Sequence, residues 1–393
     1  MIERLLASKA GDLLTKYPII TINGPRQSGK TTLCRLLRPD YTYLNLELPD
    51  NRQFAEQDPK GFLETYRDGV ILDEVQAVPG LFPYLQYYTD LRNQPGEYIL
   101  SGSQNFLLLE QITQSLAGRV AVFTLLPFAL DEIRGTAYEA GTWIDYLWQG
   151  SYPRLHQQGL TPADFYPNYL TTYVERDVRQ VINVQDVGQF QAFLVSCASR
   201  IGQLVNFAQL GLELGLDAKT VARWVSVLET SFIAYRLQPY FRNYNKRIVK
   251  SPKLYFYDTG LACSLLNIQS VEQLQTHFLR GALFENLIIN ELTKNKLNAG
   301  EKPHFYFWRD STGHEIDLLS DEGMIHRALE IKSGQTINAS FFDGLDFYAK
   351  LPHPTEIVGP YLVYGGDQPQ QRTRAQVVTW QTLSEFSQPD QPI

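Results

Sequence analysis

Two groups of residues in the 393-residue sequence have types and spacings that could do chemistry, and the first is a loop. In "YPIITINGPRQSGKTTLCRLL" the β-branched run 19–22 is followed by Gly24, Pro25, Arg26, Gln27, Ser28, Gly29, Lys30, Thr31 and Thr32, and then by an apolar helical pattern. This is G-x-x-x-x-G-K-T between a strand and a helix, the setting that the motif requires. Glycines let backbone N–H groups wrap phosphates at a helix N-terminus, the lysine reaches the terminal phosphates, and the threonine hydroxyl ligates Mg²⁺. The loop is therefore expected to hold MgATP.

The acids that such a site needs follow in "GVILDEVQ". Val70, Ile71 and Leu72 read as a buried strand that ends in Asp73 and Glu74. At the C-terminal end of a parallel strand these acids face the ligand crevice. Asp73 is expected to hold Mg²⁺ through a bound water, and Glu74 to orient and deprotonate the attacking water. A third strand in "EYILSGSQ" ends in small polar residues, where Ser103, with Gln104 behind it, is placed to sense the γ-phosphate. Arg119, just before the next strand, is positioned for a charge that meets ATP in this subunit or in a neighbour, which leaves a homo-oligomer open. A surface arginine is the other reading.

The second group lies near the end of the chain. "LRGALFENLIINELTKN" reads as a helix with Glu285 near its start, and "EIDLLSDEGMIHRALEIKSG" as a strand, a turn and a strand. Asp317 falls in the first strand; Glu330 and Lys332 flank one residue in the second, so alternation puts both on one face. A lone E-x-K on a strand is usually a solvated face. A helix with a glutamate, then an aspartate, then Glu-x-Lys resembles the PD-(D/E)xK nuclease-like superfamily, with Glu285, Asp317, Glu330 and Lys332 in the matching positions. Ile316 stands where a proline often precedes the acid. The resemblance implies Mg²⁺ or Mn²⁺ on Asp317 and Glu330, water activation by Lys332, and a water-mediated contribution from Glu285.

The elements that position these groups are those of a protein with two or three cores. A 44% apolar, 20% charged composition excludes general disorder. With a net charge of −7, any nucleic-acid contact must use a local basic patch. Cys34, Cys197 and Cys263 are widely spaced and form no C-x-x-C, which points to reduced thiols and a cytoplasmic location. No apolar run approaches the length of a membrane span, so no membrane partner is expected.

Strands alternating with helices in the first third predict a parallel α/β sheet. The phosphate loop, "VILDEVQ", "YILSGSQ", "LAGRV", "GSYPRL" and "YLTTYVERDV" together resemble a widespread prokaryotic ATPase family with an AAA+ core and an uncharacterised C-terminal domain. Farther on, Leu204, Phe207, Ala208 and Leu210 fit one amphipathic helix. "GLD" breaks it, and Lys219–Tyr235, capped by Asp217, fits a second. With a strand pair around "RLQPYF" and "KLYFYD" this is the pattern of a winged helix. Lys219 and Arg223 on the second helix, and the basic run of Arg236, Arg242, Lys246, Arg247, Lys250 and Lys253, are candidates for nucleic acid, DNA favoured. Packing of the same residues on the nucleotide domain is the alternative.

The expected organisation is an AAA+-like P-loop ATPase domain at 1–140, a helical lid at 141–190, a winged-helix domain at 191–272 and an α/β restriction-endonuclease-like domain at 273–393. The expected function is ATP hydrolysis coupled to nucleic-acid binding and metal-dependent cleavage. The alternative is an ATP-controlled interaction switch whose nuclease-like domain is inactive.

Overall fold

The computed structural model describes residues 2–103, 112, 115–174, 187–240, 250–323, 325–351, 356–383 and 386. The first sheet is built from β1 (Ile19–Asn23), β2 (Thr42–Asn45), β3 (Val70–Asp73), β4 (Tyr98–Gly102) and β5 (Val120–Thr124), in the order β2-β3-β4-β1-β5 with every pair parallel. All five residues of β1 and of β4 are buried, as expected of strands covered on both faces. Helices Leu6–Leu14 and Lys30–Leu37 lie against β1, and Phe62, Phe82 and Leu85 fill the other side. The order seats the end of β4 between the ends of β1 and β3, and this decides the geometry of the site.

Short helices at Trp143–Gln149, Pro153–Gln158 and Pro162–Tyr169 follow, each started by a proline or a threonine cap. The middle segment has helices Val187–Ala198, Phe207–Leu214 and Ala218–Thr230, then the antiparallel pair β6 (Ala234–Leu237) and β7 (Lys253–Phe256). Asn206 caps the second helix, Gly215 ends it in the left-handed region, and Asp217 accepts from the Lys219 and Thr220 amides at 2.9 Å each to start the third. Two expectations need correction. Leu204 lies before the helix and bridges to Lys253, and the third helix stops at Thr230. Phe232, Ile233 and Tyr235 are better suited to the strand that follows.

The last segment opens with the long helix Arg280–Asn298. It is followed by β8 (Phe305–Arg309), β9 (Glu315–Asp321), β10 (Ile325–Lys332), a helix at Asp343–Ala349, and strands β11 (Glu356–Ile357), β12 (Tyr361–Tyr364), β13 (Gln370–Gln371) and β14 (Gln376–Thr379). The mixed sheet runs β13-β14-β12-β10-β9-β8, with β11 beside β10. β9 is antiparallel to β8 and β10, and β12 returns parallel to β10. Past β6, Tyr240 N donates to Phe307 O at 2.7 Å and Phe307 N to Gln238 O at 3.1 Å, so the middle segment covers the free edge of β8. One apolar cluster runs from Phe128 through Phe193 and Trp224 to Phe284, Phe307 and Phe386. Among the described residues no helix is long and apolar enough to cross a membrane.

Candidate functional site

The phosphate loop forms because Gly24 and Gly29 take φ of +146° and +95°, which a side chain resists. At Gly24 a Cβ would lie 2.2 Å from the Leu125 carbonyl, so the close approach of β5 also demands glycine. Lys30 is buried and donates to Gly24 O at 3.0 Å and Pro25 O at 2.8 Å. Burial lowers its pKa against the opposing pull of Glu74 and Asp73. A cavity of about 460 Å³ opens over the loop, lined by Arg26, Gln27, Gly29, Lys30, Thr31 and Thr32. Glu74 closes one side, and Phe128, Pro153, Arg154 and Gln157 the other. Ser28 is fully buried beneath, and its carbonyl accepts from Arg4 Nη1 at 2.6 Å.

The end of β3 supplies the acids. Thr31 Oγ1 donates to Asp73 Oδ2 at 2.8 Å and Tyr43 OH to the same oxygen at 2.6 Å, while Ser101 Oγ donates to Oδ1. A hydroxyl and a carboxylate side by side at the phosphate loop are the hard oxygen donors that Mg²⁺ takes, so Thr31 and Asp73 fit the ion expected there. Glu74 sits in a left-handed turn at φ +54°. Its Oε2 accepts from Ser103 Oγ at 3.0 Å, Ser103 N at 3.2 Å and Gln76 Nε2 at 2.5 Å. The structure thus brings Ser103 to Glu74; Gln104 lies outside the described residues. Sequence reasoning missed Tyr43, Ser101 and Gln76, although Ser101 stands two residues before Ser103 on the strand that separates β1 from β3.

Arg119 is not brought to this site. It precedes β5, and in a parallel sheet the start of a strand lies at the opposite end from the crevice, about 16 Å away along five residues. There it pairs with Asp90 at 2.5 Å. Of the nucleic-acid candidates, Lys219, Arg223 and Lys250 are exposed, whereas Arg242, Lys246 and Arg247 lie outside the described residues. Two members of the basic run are committed elsewhere: Arg236 pairs with Glu229, and Lys253 is buried.

Lys253 leads to the second site. Glu285, Asp317, Glu330 and Lys332 do come together, and the acids on β9 and β10 are buried, not on a wet face: Asp317 is 6% exposed and Glu330 7%. Asp317 Oδ2 accepts from Ile331 N at 2.8 Å and from Lys332 Nζ at 3.3 Å. Glu330 Oε1 pairs with Lys332 Nζ at 2.5 Å, and its Oε2 is buried without a hydrogen-bond partner. Lys253 enters from β7: its Nζ donates to Glu285 Oε1 at 2.9 Å and pairs with Glu315, and Tyr255 OH donates to the same Glu285 oxygen at 2.5 Å. Burial alone would raise Asp317, but Lys332 and Lys253 hold its carboxyl below the usual range. Burial and then the Asp317 charge push Glu330 up to about 8.

Asp317 Oδ2, Glu330 Oε1 and Glu285 Oε1 each face an ammonium group, and among the described residues no group of three His, Cys, Asp or Glu side chains is arranged to hold a metal ion. Glu315, Lys253 and Tyr255 were missed. Each stands two residues from another site residue or from each other, the period of one strand face.

One of the comparisons with known proteins, a family model, agrees with the loop. Residues 16–134 match the family described as AAA domain, residues 140–272 a domain of unknown function (DUF8612) and residues 280–383 another (DUF4143). Among solved structures, the Walker-type ATPase PABY2304 of Pyrococcus abyssi is 14% identical, with a TM-score of 0.38 over 67% of this chain and 95% of that one. AMPPCP-bound DnaA from Aquifex aeolicus is 14% identical, with a TM-score of 0.29 over 57% and 86%. The uncharacterized proteins Rv2008c of Mycobacterium tuberculosis (strain ATCC 25618 / H37Rv) and Mb2031c of Mycobacterium bovis (strain ATCC BAA-935 / AF2122/97) are each 30% identical over 349 residues, spanning 86% of this chain and 76% of theirs. The chain carries an AAA domain and belongs to the same family as Rv2008c and Mb2031c.

Proposed function

We propose that the protein hydrolyses ATP in the cavity over the phosphate loop and uses the nucleotide state to control a winged-helix middle domain and a restriction-endonuclease-like C-terminal domain. The observation that carries hydrolysis is Glu74, whose carboxylate lines the cavity with Lys30 and Thr31 and is fixed by Ser103 and Gln76. Lys30 would move from the loop carbonyls to the terminal phosphates, and Thr31 with Asp73 would hold Mg²⁺. The ion, when bound, screens phosphate charge. Glu74 orients the attacking water and accepts its proton, while Ser103, already bonded to Glu74, is placed to report the terminal phosphate. Glu74→Gln is expected to keep ATP affinity and lose turnover; wild-type turnover in that variant would sink the assignment.

Exposed Lys219 and Arg223 on the third helix of the middle segment support nucleic-acid binding, with DNA the favoured partner. For the C-terminal domain, the engagement of Glu285, Asp317 and Glu330 by lysines favours an ATP-controlled switch over cleavage in this arrangement. Control has a physical route. On the helix Arg280–Asn298, Lys294 Nζ donates to Phe128 O at 2.8 Å and Glu291 Oε2 accepts from Leu130 N at 2.6 Å, and Phe128 is a wall of the nucleotide cavity.

A further inference from the structure

Lys253 belongs to the middle segment, yet its ammonium lies among carboxylates of the last one. Only 3% of its side chain is exposed, its Nζ lies 5.6 Å from the centroid of the Phe307 ring, and its ion-pair partners are Glu285 and Glu315. Asp317 adds to the field that keeps it charged despite burial. Lys332 separately serves Asp317 and Glu330. Glu330 Oε2 is left buried with no partner, a donor atom for which neither lysine is used. The cluster thus has acids enough for cations beyond Lys332: Arg309 pairs with Glu315 at 3.0 Å, and Lys253, from another segment, serves Glu285 and Glu315.

Lys253 is seated by backbone and not by its own side chain alone. β7 is paired to β6, Lys253 and Leu254 bridge to Leu204 and Ile201, and the chain after β6 is bonded to β8 through Gln238 and Tyr240. The lysine therefore leaves the cluster only if β7 leaves with it.

We propose that Lys253 is a built-in cation that closes the acid cluster of Glu285, Glu315, Asp317 and Glu330, so that the cluster accepts a divalent cation only when β7 is unseated. This rests on the nuclease-like reading of the C-terminal domain. A divalent ion among these carboxylates would compete with the Lys253 ammonium for the Glu285 and Glu315 oxygens and would be repelled by its charge, so each disfavours the other. Movement of the middle segment on nucleic acid would then open the site.

The test is a calorimetric titration of Mn²⁺ into the full chain without nucleotide, for wild type, Lys253→Met, Lys253→Arg and Lys253→Met with Asp317→Asn. The Met variant is expected to bind Mn²⁺ about tenfold or more tightly than wild type. The Arg variant should behave as wild type, and the added Asp317→Asn should abolish the gain. Because Lys253→Met strips Glu285 of its countercharge while Glu315 keeps Arg309 at 3.0 Å, Lys253→Met with Glu285→Gln is measured beside it, with circular dichroism to confirm folding, and should still bind Mn²⁺ more tightly than wild type. If wild type binds Mn²⁺ at Asp317 as tightly as the Met variant, the closure is wrong and the nuclease-like reading stands. If no folded variant binds Mn²⁺, that reading fails and the closure falls with it.

Discussion

Removing the guanidinium of Arg4 should loosen the phosphate loop by an amount that the structure bounds. Arg4 is buried, and its Nε donates to Glu132 Oε1 at 2.9 Å, Nη1 to Ser28 O at 2.6 Å and Nη2 to Leu126 O at 2.6 Å. Arg4→Met keeps much of the apolar stem and deletes all three bonds, leaving Glu132 charged and buried. Breaking such a pair costs ~3–5 kcal/mol. Glu132 keeps the Leu5 and Ala129 amides, at 2.9 Å each, which argues for the lower end, ~3 kcal/mol. A chain with several apolar clusters need not unfold as one unit, so hydrogen exchange of the loop amides is the suitable assay, read with the ATP dissociation constant. Glu132→Gln completes a double-mutant cycle, and the double variant should lose at least ~1 kcal/mol less than the sum of the two. A loss under ~1 kcal/mol for Arg4→Met, or additivity within ~0.5 kcal/mol, would refute the claim that this pair holds the loop.

Gly24→Ala places a methyl against the Leu125 carbonyl where neither backbone can rotate away; the expected cost is about 3 kcal/mol, with ATP binding lost in a fluorescent-nucleotide titration. Glu330 titrates near 8 in the fold against an ordinary 4.5, so the folded state binds the extra proton and stability falls as pH rises between those values. Urea midpoints for wild type should therefore drop relative to Glu330→Gln from pH 5 to pH 8.5, and parallel curves would contradict the burial argument. Lys219→Glu and Arg223→Glu should weaken DNA binding across sequences, and neutralising either residue should reduce the slope of log K against log salt by about 1. An unchanged slope would remove that helix from the interface.

What could be read in the sequence was what is local. The phosphate loop is contiguous, its strand and helix adjoin it, and Asp73 with Glu74 end an apolar run, so motif and position agree. Glu-x-Lys and Asp317 were legible because a strand face repeats every two residues. Arg119 was legible as a charge just before a strand, but nearness to a strand does not say whose ATP it could meet; its place at the start of β5, opposite the crevice, leaves a neighbour's ATP or a surface role. Lys253 was legible only as a charge in a basic run. Its partners Glu285 and Glu315 lie far along the chain, and no local periodicity says that β7 comes to rest on another segment's acids. The early end of the third helix at Thr230 shows tertiary pairing overriding an apolar pattern that could have continued.

The helix Arg280–Asn298 is gripped near both ends. Glu285 holds Lys253 and Tyr255 in the acid cluster, and about 13 Å along the rod Lys294 holds the Phe128 carbonyl beside the cavity over the phosphate loop. An α-helix with its whole hydrogen-bond ladder intact is stiff along its axis, so it does not absorb an axial displacement by stretching. When the cavity wall at Phe128 shifts, the rod must slide or the Lys294 bond must break. Sliding drags Glu285 against Lys253. The nucleotide cavity and the acid cluster therefore share a single frame of reference, and their spacing is set by the length of one rigid part.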